Sequence, residues 1–507
     1  MMRAPAGRRR VLRAGALALP ALSVLVWAAP AWAAMPASGS VLLAAAGDSQ
    51  ALGNGHATAA GDTPARDGGD GDGDAAVARD GEATTAVGGD RLATATGAGF
   101  EAARWEQRSE LGAEAFGFAR RGAQGQDAVS GALSWRSEFW TRWNEGRDVI
   151  TVVPFIRLDS ADRERHRIDL RQLEWVHARR DGLELRAGIR QVFWGVTEGA
   201  HLVDILNQTD QAAALDGEQK LGQPMLSVGG ERGAHQLEGL LLAGARARPY
   251  AGADGRLRLP LVVDADLAGF ESRRGRDRFD GALRYQFNDG GLRLALSGFS
   301  GSAREPALRP VVDPSRLVYA GPQPVGLQPG YQPVLAPFYP LIDQLGLEAQ
   351  YTHGDTLWKL EAIERHGQGP RFRALDAGLE RTQVGLAGSR VDVGWLLEYL
   401  HDSRGHAATT PFADDVLAGA RLAFNDVAGS ELLASVMVDR DTQEQLWSLE
   451  GSRRLGECCR LALEARVFAH TPPAQDAWAF LAAPDTARRL RPLAQDDYLR
   501  LGWTRFF

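Results

Sequence analysis

Tyr498-Leu499-Arg500-Leu501-Gly502-Trp503-Thr504-Arg505-Phe506-Phe507 closes the chain. Successive side chains of an extended strand point to opposite faces. Leu499, Leu501, Trp503 and Phe507 therefore share one face, and Tyr498, Arg500, Gly502 and Thr504 the other. Arg505 falls on the apolar face and breaks its pattern. The same alternation runs through the chain from about Trp105 onward. Its clearest case lies between Asp277 and Ser300, where Phe279, Gly281, Leu283, Tyr285 and Phe287 oppose Asp280, Ala282, Arg284 and Gln286. Asn288-Asp289-Gly290-Gly291 supplies residues that accept the positive φ of a tight hairpin turn. Leu292, Leu294 and Leu296 then return against Arg293, Ala295 and Ser297.

Repeats of this unit predict tight turns near Gly146, Gly182, Gly230, Gly290, Gly354, Gly388, Asp426 and Gly456. Longer connections separate them, at roughly 195–223, 244–276, 300–342, 401–413 and 469–495. Short turns alternating with long loops are the asymmetry of a transmembrane β-barrel. The expected fold is all-β: a transmembrane antiparallel up-and-down β-barrel over 105–507, with about 18 strands. A count of about 16 is the alternative, because the strands before Ile150 are weakly patterned. An even count lets the terminal strand pair with the first one near Leu111. A propeller would repeat a blade motif, and none recurs. The terminal strand resembles the closing strand of bacterial outer-membrane β-barrels, which implies the barrel-assembly machinery as a partner. Aromatic residues fit a girdle at each membrane interface, with Trp140, Trp143, Trp175, Tyr285, Phe287, Trp358 and Phe424 beside short turns.

Composition agrees with a barrel. The charged fraction is 24% and the net charge −7, so there is no basic footprint for nucleic acid. The mean hydropathy of −0.24 is too polar for a helical membrane protein, but only alternate residues of a barrel strand face lipid. Arg3, Arg8, Arg9, Arg10 and Arg13 precede an apolar stretch and the small-residue site Ala31-Trp32-Ala33, so residues 1–33 read as a signal peptide. Residues 34–104 are rich in Gly, Ala and Asp and cannot bury a core, so this segment is expected to be disordered. Asp70-Gly71-Asp72-Gly73-Asp74 lacks the glycine and the final glutamate of a calcium loop, since Ala75 and Glu82 stand out of place. The two cysteines, Cys458 and Cys459, are adjacent, a spacing that disfavours a disulfide between them. No metal or other cofactor is expected.

A barrel of this size encloses an aqueous lumen. The candidate lumen lining is Arg186, Arg190, Arg284, Arg293, Lys359, Glu361, Glu398 and Arg421. Charges of both signs can orient a solute in a transverse field, or can simply solvate the wall. The most unusual segment begins at Phe193-Trp194-Gly195-Val196-Thr197-Glu198-Gly199-Ala200-His201-Leu202-Val203-Asp204-Ile205-Leu206-Asn207-Gln208-Thr209-Asp210. It carries an apolar cluster, Leu202, Val203, Ile205 and Leu206, that needs cover. Two accounts stand open. The segment folds into the barrel, with Glu198, His201, Asp204 and Asp210 at a pore constriction, or it packs on itself at the surface.

Phe193 to Asp210, continued by Lys220-Leu221-Gly222-Gln223-Pro224, resembles a segment found in porin-like proteobacterial outer-membrane β-barrel proteins. The likeness covers about thirty residues. It implies an outer-membrane barrel and brings no catalytic residues and no substrate.

The connection at 300–342 holds nine prolines from Pro306 to Pro340, too many for a continuous strand, and reads as a stiff cap over the external mouth. No Gly-x-Ser-x-Gly or His-Glu-x-x-His motif occurs, so an enzyme is not expected. The expected function is an outer-membrane porin-like channel for passive diffusion of small hydrophilic solutes. The alternative is a non-conducting barrel that acts in envelope assembly or as a binding scaffold. Outer-membrane lipid surrounds either one, and the oligomeric state stays open.

Overall fold

The structure, a computed structural model, describes residues 104–215 and 217–507. The expected signal peptide and all of the 34–104 segment except Arg104 lie outside the described residues. The barrel strands are β1 (Trp105–Phe118), β2 (Val129–Trp143), β3 (Asp148–Asp159), β4 (Arg167–Ala178), β5 (Leu183–Arg190) and β6 (Gln223–Arg232). They continue with β7 (His235–Ala243), β8 (Phe279–Asp289), β9 (Leu292–Ser302), β10 (Leu341–His353), β11 (Thr356–Gly367) and β12 (Gly369–Gln383). The last six are β13 (Asp392–Asp402), β14 (Asp414–Ala423), β15 (Glu431–Asp439), β16 (Gln445–Leu455), β17 (Cys459–Ala469) and β18 (Tyr498–Phe506).

Each strand pairs antiparallel with its neighbours in sequence, and β18 pairs with β1 to close an 18-stranded up-and-down barrel. The closing register sets Leu111 opposite Arg505 and Glu110 opposite Phe506. Closure leaves the 18-stranded sheet without an edge strand.

Period two sorts the wall into two faces. On β11, Lys359, Glu361, Ile363 and Arg365 point inward and are buried, while Trp358 on the other face is exposed. On β18 the exposed residues are Leu499, Leu501, Trp503 and Arg505. Arg505 is accommodated there by stacking, with its guanidinium 4.9 Å from the Phe507 ring centroid.

The expected tight turns lie at one end of the barrel, together with both ends of the sheet. The turn expected near Gly230 is made by Gly233, at φ 57°, because Gly230 is still paired with Leu183. The turn expected near Gly388 is a longer bend over 384–391 that joins β12, ending at Gln383, to β13. At the opposite end most connections are longer, with five residues (440–444) between β15 and β16 and a single one between β11 and β12. Gln368 alone joins β11 to β12, flanked by Gly367 at φ 100° and Gly369 at φ 82°. Trp140 departs from the girdle pattern, since it shares the inward face of Arg136 and Glu138.

The proline-rich connection is not strand-free. It forms short strands at Ala307–Val311, Leu317–Ala320, Gln323–Leu327 and Val334–Tyr339. The last of these pairs in parallel with Val262–Val263 and Gly269–Phe270 from the β7–β8 connection. Leu261, Val263 and Leu335 pack there with Phe480 and Leu481 of the β17–β18 connection.

Candidate functional site

The β5–β6 connection lies inside the barrel. Its apolar residues explain why. Val192, Trp194, Val203, Ile205 and Leu206 are buried against inward-facing Met225, Leu240, Leu242, Phe299, Ile342, Ile363 and Phe372. A lumen wall with this much apolar surface is unusual, and it is the cover that the Leu202–Leu206 cluster requires.

The apex of the segment reaches the opposite wall through backbone amides aimed at carboxylates. Glu361 on β11 accepts Val196 N–H at 2.6 Å, Thr197 N–H at 3.1 Å, Thr197 Oγ1–H at 2.8 Å and Val203 N–H at 3.2 Å. Asp376 on β12 accepts Ala200 N–H at 3.0 Å. Glu398 on β13 accepts Glu198 N–H at 2.9 Å and Gly199 N–H at 2.7 Å. Arg421 on β14 donates to the Glu198 carboxylate at 2.9 Å. β14 stands eight strands beyond β6 in a ring of 18, so the segment crosses the lumen. Such amide–carboxylate bonds are charge-assisted and roughly twice as strong as neutral ones.

The four candidate constriction residues are spread along this crossing. Glu198 sits at the far wall with Arg421. His201 is half-buried, edge-on to Phe193 at 4.8 Å. Asp204 is buried in mid-segment with Lys220 Nζ at 3.1 Å. Asp210 is 2% exposed at the near wall, between Arg171 at 3.3 Å and Arg167 at 3.8 Å. The two buried aspartates act as anchors of the segment rather than as an exposed ring.

The candidate lining residues all lie on the inward face, in ion pairs or hydrogen bonds. Arg186 bonds to Glu184 and lies 3.6 Å from Glu174. Arg190 donates to Ser227 at 2.8 Å and Glu238 at 2.9 Å. Arg284 meets Glu348 at 2.6 Å and lies over the Trp194 ring, while Arg293 donates to Gln286. Lys359 pairs with Glu380 at 3.3 Å. Two docking carboxylates in this network, Glu361 and Glu398, belong to the expected set, whereas Asp376, Glu380 and Glu348 escaped it. On β12 Phe372, Ala374, Asp376, Gly378 and Glu380 share the inward face and alternate with Arg373, Leu375, Ala377 and Leu379 on the other. That alternation was the available signal, but the one-residue link at Gln368 carries no turn cluster to announce a new strand.

Gly195 is where the segment enters the carboxylate cluster, at φ 146°. A Cβ there would stand 3.0 Å from Glu361 Oε1 and 3.1 Å from His201 Nδ1. Gly195→Ala is therefore expected to weaken docking by about 1–3 kcal/mol from backbone strain alone. The check is protease cleavage within 191–222 of the folded barrel, faster in the variant than in the parent.

The loop end is also crossed. In the β7–β8 connection, Arg256 donates to Asp496 at 2.8 Å and to the carbonyls of Arg120 and Asp127, and its guanidinium lies 4.0 Å from the Phe118 ring centroid. Burial raises the Asp496 carboxyl above its ordinary range, and Arg256 opposes that shift. Gln208 ties the two crossings together through Arg246 O, and Arg304 of the β9–β10 connection donates to Leu206 O.

The opposite sector of the wall is more open. Inward-facing Glu450 on β16 is 46% exposed at its side chain, although Arg466 lies 2.5 Å away. Arg136 pairs with Glu110 and Arg460 with Glu431, each arginine about a quarter exposed. Gly419, Ser435, Ser448, Ala462, Gly502 and Gly112 alternate with these charges on the same inward faces, so little fills the space in front of them.

No family model matches the chain, and no curated protein does. Among solved structures, a mutant of the Rh. blastica porin is 11% identical, with 80% of this chain and 100% of that one covered and a TM-score of 0.36. Wzi, an outer-membrane protein involved in group 1 capsule assembly in Escherichia coli and a carbohydrate-binding β-barrel, is 9% identical over 78% of this chain and 83% of its own, with a TM-score of 0.43. At that identity and overlap neither neighbour carries a residue role or an activity over to this chain.

Proposed function

We propose that the chain is a porin-like outer-membrane channel through which small hydrophilic solutes diffuse passively. The 191–222 segment narrows it, and the passage runs beside β15–β18 and β1–β2. The observation that carries this reading is the division of the lumen. One sector is filled by the buried cluster around Trp194 and Leu206, and the other presents small residues and charges whose side chains are 12–46% exposed. Tight turns would face the periplasm and long connections the outside, the usual arrangement of such barrels. Single-channel recording in planar bilayers tests the proposal, and a folded barrel that passes no ions would overturn it.

A second reading, a non-conducting barrel that binds an envelope component, is favoured by the connections packed across the loop end. If that cover is complete, conductance appears only once 244–278 is shortened. Either reading puts the outer face in lipid. Leu501 lies midway along β18 on that face. Leu501→Arg is expected to cost roughly 2–4 kcal/mol of unfolding free energy in lipid vesicles. A change under about 0.5 kcal/mol, the range of ordinary surface substitutions, would remove Leu501 from the membrane.

A further inference from the structure

The outer wall carries a trench that the channel does not use. It crosses β13 to β17, encloses about 590 Å³, and is lined by Trp395, Ala418, Ala420, Ala434, Trp447 and Ala465. The register explains its shape. Trp395, Ala420, Ala434, Leu449 and Ala465 are successive partners along one line across the sheet. Alanines at three of those five positions leave the floor low. Trp395 and Trp447 stand up from it, each about half exposed. Trp395 is the third residue beyond the start of β13 at the tight-turn end, whereas Ala465 is the sixth residue beyond the start of β17. The trench therefore climbs from the tight-turn rim past mid-wall to Trp447, the third residue of β16 from the long-connection end.

The line does not stop at Trp395. Its next partner is Arg381 on β12, two residues from the strand end. Arg381 is exposed, as are Arg390 and Arg453 at the same rim, where the exposed carboxylates are Asp355, Asp426, Glu431 and Glu457. A cation at the foot of an apolar trench is complementary to an anionic headgroup with an acyl chain behind it. Arginines at a membrane rim attract anionic lipid headgroups.

We infer that this trench binds an anionic glycerophospholipid of the leaflet at the tight-turn end, its phosphate at Arg381 and one acyl chain over Ala420 and Ala434. The inference rests on the membrane reading above. A bare apolar wall would hold zwitterionic and anionic lipid equally. A second copy of the chain would need a convex partner surface and gains nothing from Arg381.

The test uses the refolded barrel in vesicles that contain brominated phosphatidylglycerol or brominated phosphatidylcholine, with tryptophan quenching as the readout. Trp395→Phe assigns the trench signal by difference. Quenching at Trp395, the register partner of Arg381, should favour phosphatidylglycerol several-fold. Arg381→Gln should bring that ratio to about one, since it removes the headgroup contact. Ala434→Leu should lower quenching by both lipids. Equal quenching in the parent, or a ratio that Arg381→Gln leaves intact, overturns the site. Crosslinking between trenches that Ala434→Leu abolishes would also overturn it, in favour of a dimer. A chain that fails to enter vesicles overturns the membrane reading itself, whereas one that enters without preference overturns only the lipid site.

Discussion

Replacing residues 191–222 by a short Asn-Gly turn should raise single-channel conductance several-fold. The barrel should survive the change. Arg190 and Gln223 are direct register partners at the ends of β5 and β6, so a tight hairpin turn bridges them without moving either strand. The 18-strand ladder does not run through the removed segment. Removal takes away the buried cluster that fills one sector, together with the bonds to Glu361, Asp376 and Glu398. Those carboxylates would then face the water-filled pore without their amide partners, so the widened pore should also favour cations more than the parent does. Planar-bilayer recording under a salt gradient reads both effects. An unchanged conductance and reversal potential would show that the crossing does not limit the pore.

Glu361→Ala should release the same segment without removing it. Four donors converge on this one carboxylate. Unpaired buried donors cost about 1–3 kcal/mol each, and water entering the vacated space offsets part of that. A net loss of roughly 2–5 kcal/mol in docking is expected. Docking of ordinary strength would then fail much of the time, and recordings should show frequent excursions to the conductance of the turn-replacement variant. Glu361→Gln should do less. Oε1 alone takes three of the four bonds, so an amide that keeps its oxygen there loses chiefly the Val203 contact. Equal behaviour of the alanine and glutamine variants would mean that charge rather than acceptor geometry holds the segment.

The two candidate lining glutamates that dock the segment were legible in sequence only as polar positions of a strand. Asp376, one strand away, was not picked out, because a single residue, Gln368, separates β11 from β12. Turn chemistry is the usual boundary signal, and a strand entered without it loses its phase. The error near Gly230 has a related origin. A glycine in a strand reads like a turn, whereas the φ of 57° needed for reversal belongs to Gly233.

Local periodicity was enough to determine that the chain forms antiparallel strands with one apolar and one polar face, that tight turns and long connections alternate, and that an even-numbered barrel closes on Leu111. These features depend on residues within one or two turns of each other. The sequence also singled out 193–210 as a segment with apolar residues in need of cover, and left open where the cover comes from. Only the tertiary structure decided that. Glu361 and Val196 lie 165 positions apart, and Glu398 and Glu198 lie 200 apart. Nothing in the spacing of either stretch names the other. Closure of the ring sets the two walls opposite each other, and the crossing follows from burying an apolar segment where carboxylates can accept its amides.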